Sequence, residues 1–467
     1  MNMNNLTQST NETQRRVVPY VTDKLDITPL IIQKLKEEND NILFFNEFYI
    51  YENGYWKKKG ELYVKKLIQE FCFENGFEAK HFKHYKNVDD LLKQAQLDLY
   101  KEINPKKNVL NFTNGTLELD TMQFREHRKE DYLFYCLPYK YDNEAQCPKW
   151  LEFLDEVLPQ KDLQTAIQEA VAYLLSGLHL EKITYLKGNG RNGKSVSLEV
   201  LNGVLGQENV SHIPIETIVK NDGKGIYQML NKLANITYET SSSILNTPAF
   251  KSYNSGEPMN VKKLYHDEYT TTNYPQTIVA SNSMPRSTDN SEGFFRRLNI
   301  IPFNVTIPLE KVNPNLKNEL LKESAGILNW IIEGIIRLRE NKRFTPCQTI
   351  EDLQNQLRAD QDNVFGFIYE NNYIPSKTQK IQFNQLYGNF ETFCLTNDYK
   401  PVRKKTFKQR LSSLGYLIKN STNNQLYVWI DKEPKTEFQE VEEETSPQQT
   451  HQFETVDLFG DETECPF

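Results

Sequence analysis

Between Tyr185 and Leu201 the chain reads YLKGNGRNGKSVSLEVL. An apolar lead-in gives way to an amphipathic run, so a short buried strand hands over to a helix. The handover consists of glycines, amides and cations. A strand continued this way must pack its helix back onto its own sheet. Two more apolar runs, ANITYET (234–240) and QTIVASN (276–282), read as further strands, each separated from the last by helical patterns. The expectation is an α/β fold with a mostly parallel sheet covered on both faces.

The spacing within the handover is specific. Gly188, Gly193, Lys194 and Ser195 fit the phosphate-loop pattern G-x-x-x-x-G-K-[ST]. Glycines let successive backbone N–H groups turn inward around a phosphate chain, and the following helix adds partial positive charge. Lys194 would reach the β- and γ-phosphates and Ser195 would hold Mg²⁺. The candidate nucleotide contacts are Gly188, Asn189, Gly190, Arg191, Asn192, Gly193, Lys194 and Ser195, with ATP and Mg²⁺ as cofactors. Kinases, motors and switches share this loop, so it does not name the output.

An ATPase also needs an acid at the end of a neighbouring strand. Glu239 closes ANITYET and is the candidate for the Mg²⁺ shell and for polarising the attacking water. Asn282 closes QTIVASN and is the candidate to hold that water. In GFFRRLNIIPF, Arg296 and Arg297 precede an apolar strand. Two adjacent arginines on an extended segment cannot face the same way, so one is structural while the other projects outward.

The remaining composition bounds the answer. With 467 residues, two to four domains are expected. Hydrophobic residues at 38% and charged ones at 25% are ordinary for a globular protein. No apolar run approaches the roughly 18 residues that cross a bilayer. The N-terminus MNMNNLTQSTNETQRR lacks the apolar core of a secretory signal, so a cytoplasmic protein without a membrane partner is expected. The six cysteines show no zinc or redox spacing. The net charge of −8 conceals an uneven distribution: residues 431–467 hold twelve acids and two lysines, which leaves the rest at about +2.

Along the chain, residues 1–24 read as disordered. Residues 25–150 read as an α+β domain, with hairpin turns at Asn53-Gly54 and Asn114-Gly115 and helices near 61–73 and 87–102. Residues 151–345 are the ATPase core, closed by one continuous helix, NELLKESAGILNWIIEGIIRLRE. Residues 361–430 pattern as helix, helix, basic helix and hairpin, a winged-helix arrangement. Its basic helix offers Arg403, Lys404, Lys405, Lys408 and Arg410 to DNA. Residues 431–467 are an acidic tail expected to be disordered.

The order GNGRNGKS, YET, FKSYNSGEPMNVKKLY, TIVASNSMP and GFFRRLNIIPF resembles the landmarks of superfamily 3 helicases. The branch it resembles is the phage/plasmid primase-helicase family with its poxvirus relatives. The resemblance is strong over 150–345. It implies a P-loop, AAA+-like ATPase core with an N-terminal α+β domain and a C-terminal winged-helix domain. It makes Lys194, Glu239, Asn282 and Arg297 catalytic, with Ser195 and Glu239 at the metal and Arg297 as an arginine finger acting on the next subunit's ATP. Arg296 is the second choice for that finger, and Lys251 another basic residue placed to reach across the interface. The resemblance also implies a hairpin within NVKKLYHDEY, where Lys262, Lys263 and His266 would contact single-stranded DNA.

The implied activity is that of a replicative DNA helicase of a phage, plasmid or mobile element. It would work as a hexameric ring on single-stranded and forked DNA in a bacterial host. The competing expectation is an ATP-dependent origin-binding initiator that does not unwind processively. A P-loop kinase would instead need a small acceptor pocket. Priming by this chain is not expected, because the first 150 residues show neither an acid cluster for metals nor zinc spacing. The tail adds a partner expectation: TVDLF (455–459) resembles the peptide bound by bacterial sliding clamps. Asp461 to Phe467 resembles the acidic Pro-Phe tip of bacterial single-stranded DNA-binding proteins. Residues 455–467 would therefore tether the chain to a replisome.

Overall fold

The computed structural model describes residues 29–33, 36–37, 42–74, 85–238, 248–263, 268–284, 292–421 and 424–433. The segments 1–24 and 434–467, with their expected disorder and the 455–467 peptide, lie outside the described residues, as do Glu239 and His266. The chain divides into two units, Met1–Gln361 and Asp362–Phe467.

The first unit opens with an antiparallel sheet of β1 (Ile42–Phe45), β2 (Glu47–Glu52) and β3 (Tyr55–Lys59). Asn53 and Gly54 both take positive φ, 54° and 83°, as the two-residue turn between β2 and β3 requires. Helices Glu61–Glu74 and Tyr85–Asp98 cover this sheet, with Val64, Ile68, Leu91 and Leu92 in a common apolar cluster with Phe48 and Ile50. A second antiparallel sheet joins β4 (Val109–Phe112), β5 (Gly115–Glu118) and β6 (Gln123–Arg125). Its Leu110, Phe112 and Leu117 pack into the same cluster as Trp150, Phe153 and Leu198. The apolar core therefore runs straight across residue 150, where the sequence pattern changes.

Next come β7 (Ile183–Lys187), β8 (Val210–Ser211), β9 (Ala234–Tyr238), β10 (Met259–Val261), β11 (Tyr269–Thr271), β12 (Thr277–Ser281) and β13 (Leu298–Pro302). Five of them build the central sheet in the order β13-β7-β12-β9-β8, every pairing parallel. All five residues of β12 and β13 are buried, as expected of strands covered on both faces. The strands β10 and β11 form a separate antiparallel pair.

Where one helix was expected over 318–340, two are found, Leu316–Leu321 and Ser324–Asn341. The break has a tertiary cause. Glu323 leaves helical geometry at φ −98° and ψ 18°. Its carboxylate accepts from the Lys149 and Trp150 amides at 3.2 and 3.1 Å, capping helix Pro148–Val157, which has no side-chain cap of its own. Helix Ser324–Asn341 packs on helix Lys161–Leu175. Between them sits the fully buried carboxylate of Glu169, which accepts from Arg337 at 2.6 Å, the Thr345 amide at 2.7 Å and the Thr345 hydroxyl at 2.6 Å.

In the second unit, helices Asn363–Glu370, Phe383–Thr396 and Lys404–Ser413 precede a hairpin, the order read from the sequence. Two short strands were missed, β14 (Tyr373–Pro375) and β15 (Ile381–Gln382). Both pair with β17 (Leu426–Lys432), the second arm of the hairpin begun by β16 (Leu417–Asn420). Gly415, at φ 88°, ends the basic helix as a C-cap glycine should. Asp362 opens the unit, accepting from the amides of Val364 at 3.0 Å and Phe365 at 3.4 Å and from Arg410 at 2.9 Å.

Candidate active site and nucleic-acid interface

The glycine-rich loop leaves the carboxyl end of β7 and enters helix Lys194–Leu205, as its sequence requires. Gly190, Arg191 and Gly193 have φ of 94°, 45° and 85°. Gly193 is doubly constrained, because a Cβ there would sit 2.5 Å from Val157 and 3.2 Å from Phe153. At Gly188 a Cβ would meet the Asn192 amide and the Phe303 carbonyl at 2.1 and 2.5 Å. Asn192 is buried and donates to that same carbonyl at 3.1 Å, while the Arg191 carbonyl accepts from the Ile307 amide at 2.7 Å. The loop is thus clamped at its base, while Asn189, Gly190 and Arg191 are exposed.

Lys194 is buried, and its ammonium donates to the Gly188 carbonyl and, at 3.1 Å, to the Asn282 Oδ1. Burial pushes this amine below its ordinary pKa, a penalty that a phosphate would offset. Ser195 lies exposed in the first turn of the helix. Asn282 is the first residue after β12, whose Ser281 lies level with Lys187 of β7 and whose Ala280 lies level with Tyr238 of β9. Sheet register thus brings together the loop lysine and the strand-end amide, 88 residues apart in sequence. Glu239, the residue after Tyr238 in the chain, lies outside the described residues.

The two arginines do not lie on an extended segment, as the sequence reading assumed: they form the turn between helix Glu292–Phe295 and β13, their amides donating to the carbonyls of Glu292 at 2.9 Å and Phe294 at 3.1 Å, and that turn sends one inward and the other outward. Arg297 is 8% exposed and donates to the Gly293 carbonyl, to Ser255 at 3.3 Å and to Glu181 at 3.1 Å. Arg296 turns outward with 58% of its side chain exposed and meets the same carboxylate from the solvent side, at 2.9 Å. Arg297, the first choice for a finger, is therefore held inside this subunit, and the outward cation is Arg296. Nothing in the sequence around Glu181 marks it as the shared partner. Lys251 lies on helix Pro248–Asn254.

Of the hairpin lysines, Lys262 pairs with Glu268, and Lys263 donates to Glu47 of β2 at 2.8 Å. Glu47 also receives Lys58 at 3.1 Å and the Tyr227 hydroxyl at 3.0 Å. Burial alone would raise its pKa, but the hydrogen bonds from Lys263 and Lys58 outweigh that and hold it below the ordinary value. His266 lies outside the described residues. In the second unit, Arg403, Lys404, Lys405 and Lys408 are exposed on the basic helix, whose Phe407 and Leu411 face the core. Lys404 lies 5.2 Å from the Tyr387 ring centroid and donates to Asn384 at 3.1 Å. Arg410 is withdrawn to Asp362.

Among the described residues no group of three or more His, Cys, Asp or Glu could hold a metal ion, and no helix is long and apolar enough to cross a membrane. The described cysteines are free thiols. Burial pushes Cys72 and Cys136 up to about 11 and Cys147 up to about 12, which makes them poor nucleophiles.

Comparison with known proteins adds the family. Residues 33–159 match the family described as D5 N terminal like, and residues 359–451 match Poxvirus D5 protein-like. The chain thus matches poxvirus D5-like domain families on both sides of its glycine-rich loop. Between those segments, residues 186–297, which hold the glycine-rich loop and both arginines, match a family of unknown function, DUF5906. Among curated relatives, "Putative helicase L207/L206" of Acanthamoeba polyphaga mimivirus is 26% identical over 219 residues, 44% of this chain and 22% of the relative. "Putative helicase 121R" of Invertebrate iridescent virus 3 is 19% identical over 360 residues, 68% of this chain and 38% of the relative. The chain thus spans well under half the length of these relatives. A solved structure of the NrS-1 C-terminal region in an apo form is 12% identical, with a TM-score of 0.49, covering 85% of this chain and 98% of that one.

Proposed function

We propose that this chain is the ATPase and DNA-binding portion of a replicative superfamily 3 DNA helicase, acting as a hexameric ring on single-stranded DNA. One observation carries the reading: the Lys194 ammonium, at the mouth of a loop shaped by Gly188 and Gly193, bonds Asn282 at the end of the adjacent parallel strand. A lysine and an amide converging on a glycine-lined anion cradle form the constellation that cleaves a nucleoside triphosphate. The strand order, with the loop strand β7 between β13 and β12, supports a P-loop core of the AAA+ type. The helix–helix–helix–hairpin order of the second unit supports a winged helix.

In this reading Lys194 and the loop amides hold the triphosphate, and Asn282 orients the water that attacks it. Ser195 and Glu239 would hold Mg²⁺, which would neutralise phosphate charge when bound. Arg296, the outward member of the pair, reaches the ATP of the neighbouring subunit. Lys262 and Lys263 meet the DNA strand in the ring, and Arg403, Lys404, Lys405 and Lys408 meet DNA phosphates on the second unit. The setting would be the replicon of a phage, plasmid or mobile element, and the viral relatives are in keeping with a virus-borne one.

The test is ATP hydrolysis and strand displacement on a fluorescent fork by the purified chain, with and without single-stranded DNA. The expected result is DNA-stimulated turnover and unwinding, both abolished by Lys194→Ala. ATP-dependent DNA binding without displacement would favour the initiator instead. Turnover that survives Lys194→Ala would refute the site.

A further inference from the structure

The sheet of the second unit has an outer face that none of the roles above uses. Along β17, Val428 and Ile430 are buried, while Tyr427 and Trp429 between and beside them are part-exposed. Side chains alternate along a strand, so both rings stand on the face turned away from the core. The basic helix is not on that face, since its Phe407 and Leu411 join Val428 and Ile430 in one apolar cluster on the inner side. Across the sheet, Trp429 lies opposite the exposed Leu417, and Tyr427 opposite the exposed Lys419. Lys380 places its ammonium 4.9 Å from the Tyr427 ring centroid and 5.7 Å from that of Trp429. Asp431, next on this face, bounds it at one end.

The chemistry selects among ligands. An apolar protein surface laid here would have to desolvate the Lys380 ammonium, which is costly. A duplex hides the faces of its bases and offers nothing to stack. Unpaired bases offer both a π-face for the rings and a phosphate for the lysines. The surrounding charge agrees: residues 362–433 hold ten basic and six acidic side chains, although the whole chain is acidic. We propose that this outer face is a stacking platform for single-stranded nucleic acid, with one base on Trp429, a neighbour on Tyr427, and Lys380 and Lys419 at the phosphates. The proposal rests on the nucleic-acid reading above and adds to it a site separate from both the hairpin lysines and the basic helix.

The test uses the full chain and a labelled oligothymidylate, read by anisotropy and by tryptophan emission, with an abasic strand of equal length and charge as the comparison. Trp429→Leu and Tyr427→Leu should each weaken oligothymidylate binding about tenfold or more, whereas Trp429→Phe should stay near wild type. Oligothymidylate should quench the wild-type emission, and that quench should vanish in Trp429→Phe although binding persists. The abasic strand should bind the wild type more weakly than oligothymidylate and should not distinguish it from Trp429→Leu. Equal binding of both strands by the wild type, or an undiminished affinity in Trp429→Leu, would overturn the platform. ATP hydrolysis by the same proteins without DNA separates the two readings: if it is missing while the stacking signature holds, the motor fails and the platform stands.

Discussion

Replacing Arg296 and Arg297 one at a time with alanine should separate stability from turnover. Arg297 is buried, ion-paired with Glu181 and bonded to Gly293 and Ser255. Its removal deletes a charge-assisted network and leaves Glu181 without its inner partner. That should cost about 1–3 kcal/mol of stability, mainly from the buried guanidinium's hydrogen bonds, because solvent reaches the 43%-exposed Glu181 side chain and screens the pair. Arg296 is more than half exposed and touches the same carboxylate from its solvent side. Solvent screens that pair, so Arg296→Ala should change stability by no more than about 0.5 kcal/mol. Its effect belongs to catalysis: losing an arginine finger typically lowers turnover by about 10³–10⁵-fold with little change in nucleotide affinity. Urea melts and fluorescent-nucleotide titration read the first two quantities, and steady-state hydrolysis reads the third.

Mixing copies tests whether the finger acts between subunits. Lys194→Ala and Arg296→Ala proteins should each be nearly inactive alone. In a randomly mixed ring, about a quarter of the interfaces would join an intact loop to an intact finger, because a head-to-tail interface takes one part from each neighbour. Hydrolysis should therefore reappear on mixing, at about a quarter of the wild-type rate per subunit. If mixing restores nothing, the arginine does not act in trans. If Arg297→Ala abolishes turnover while melting like wild type, burial has been misread as a structural role.

Gly193→Ala should distort the loop, since it combines a φ of 85° with a Cβ 2.5 Å from Val157. A destabilisation of about 1–3 kcal/mol and a loss of nucleotide binding by calorimetry are expected. Glu169→Ala leaves the Thr345 amide and hydroxyl without their acceptor and Arg337 with only Gln168, and urea melts should show a loss of about 2–4 kcal/mol. Glu47 has a folded pKa below its ordinary 4.5. Its contribution to stability is therefore complete above the unfolded value and disappears as pH falls through the folded one. Melts of wild type and Glu47→Gln should differ at pH 7, draw together only as pH falls below 4.5, and meet once it has passed the lower folded value; a gap undiminished in strong acid would rule out the ion pairs as its source. A synthetic 455–467 peptide should bind a bacterial sliding clamp or a partner of the single-stranded DNA-binding protein in a fluorescence titration, and silence with both would remove the tether.

What could be read from the sequence follows from how local the physics is. The loop was legible because its geometry is written in its own residues: glycines where φ is positive, and a lysine and serine where a helix begins. The strands β7, β9 and β12 were legible as apolar runs closed by polar residues. By contrast, β8, β14 and β15 are two or three residues long, too short for any period to show. The break after Leu321 was hidden because its cause is a capping bond from Glu323 to a helix some 170 residues earlier. The same holds for the arginines. The expectation that only one faces outward rested on strand alternation, but the fold places both in a helix-ending turn, and which one stays inside depends on Glu181, just before the loop strand.

Lys263 depends on distant structure in the same way, and with a consequence for DNA binding. The family resemblance nominates it as a DNA contact, and the fold commits it to Glu47, which is 216 residues away. A cation that is neutralised in the free protein must exchange a carboxylate for a phosphate when DNA arrives. DNA binding at that hairpin would therefore release a contact to β2, and conversely β2 would weaken the hairpin's hold on DNA by the free energy of the pair. Linkage of this kind leaves no trace in either segment read alone, because each lysine and each glutamate looks like any solvated charge until the chain has folded.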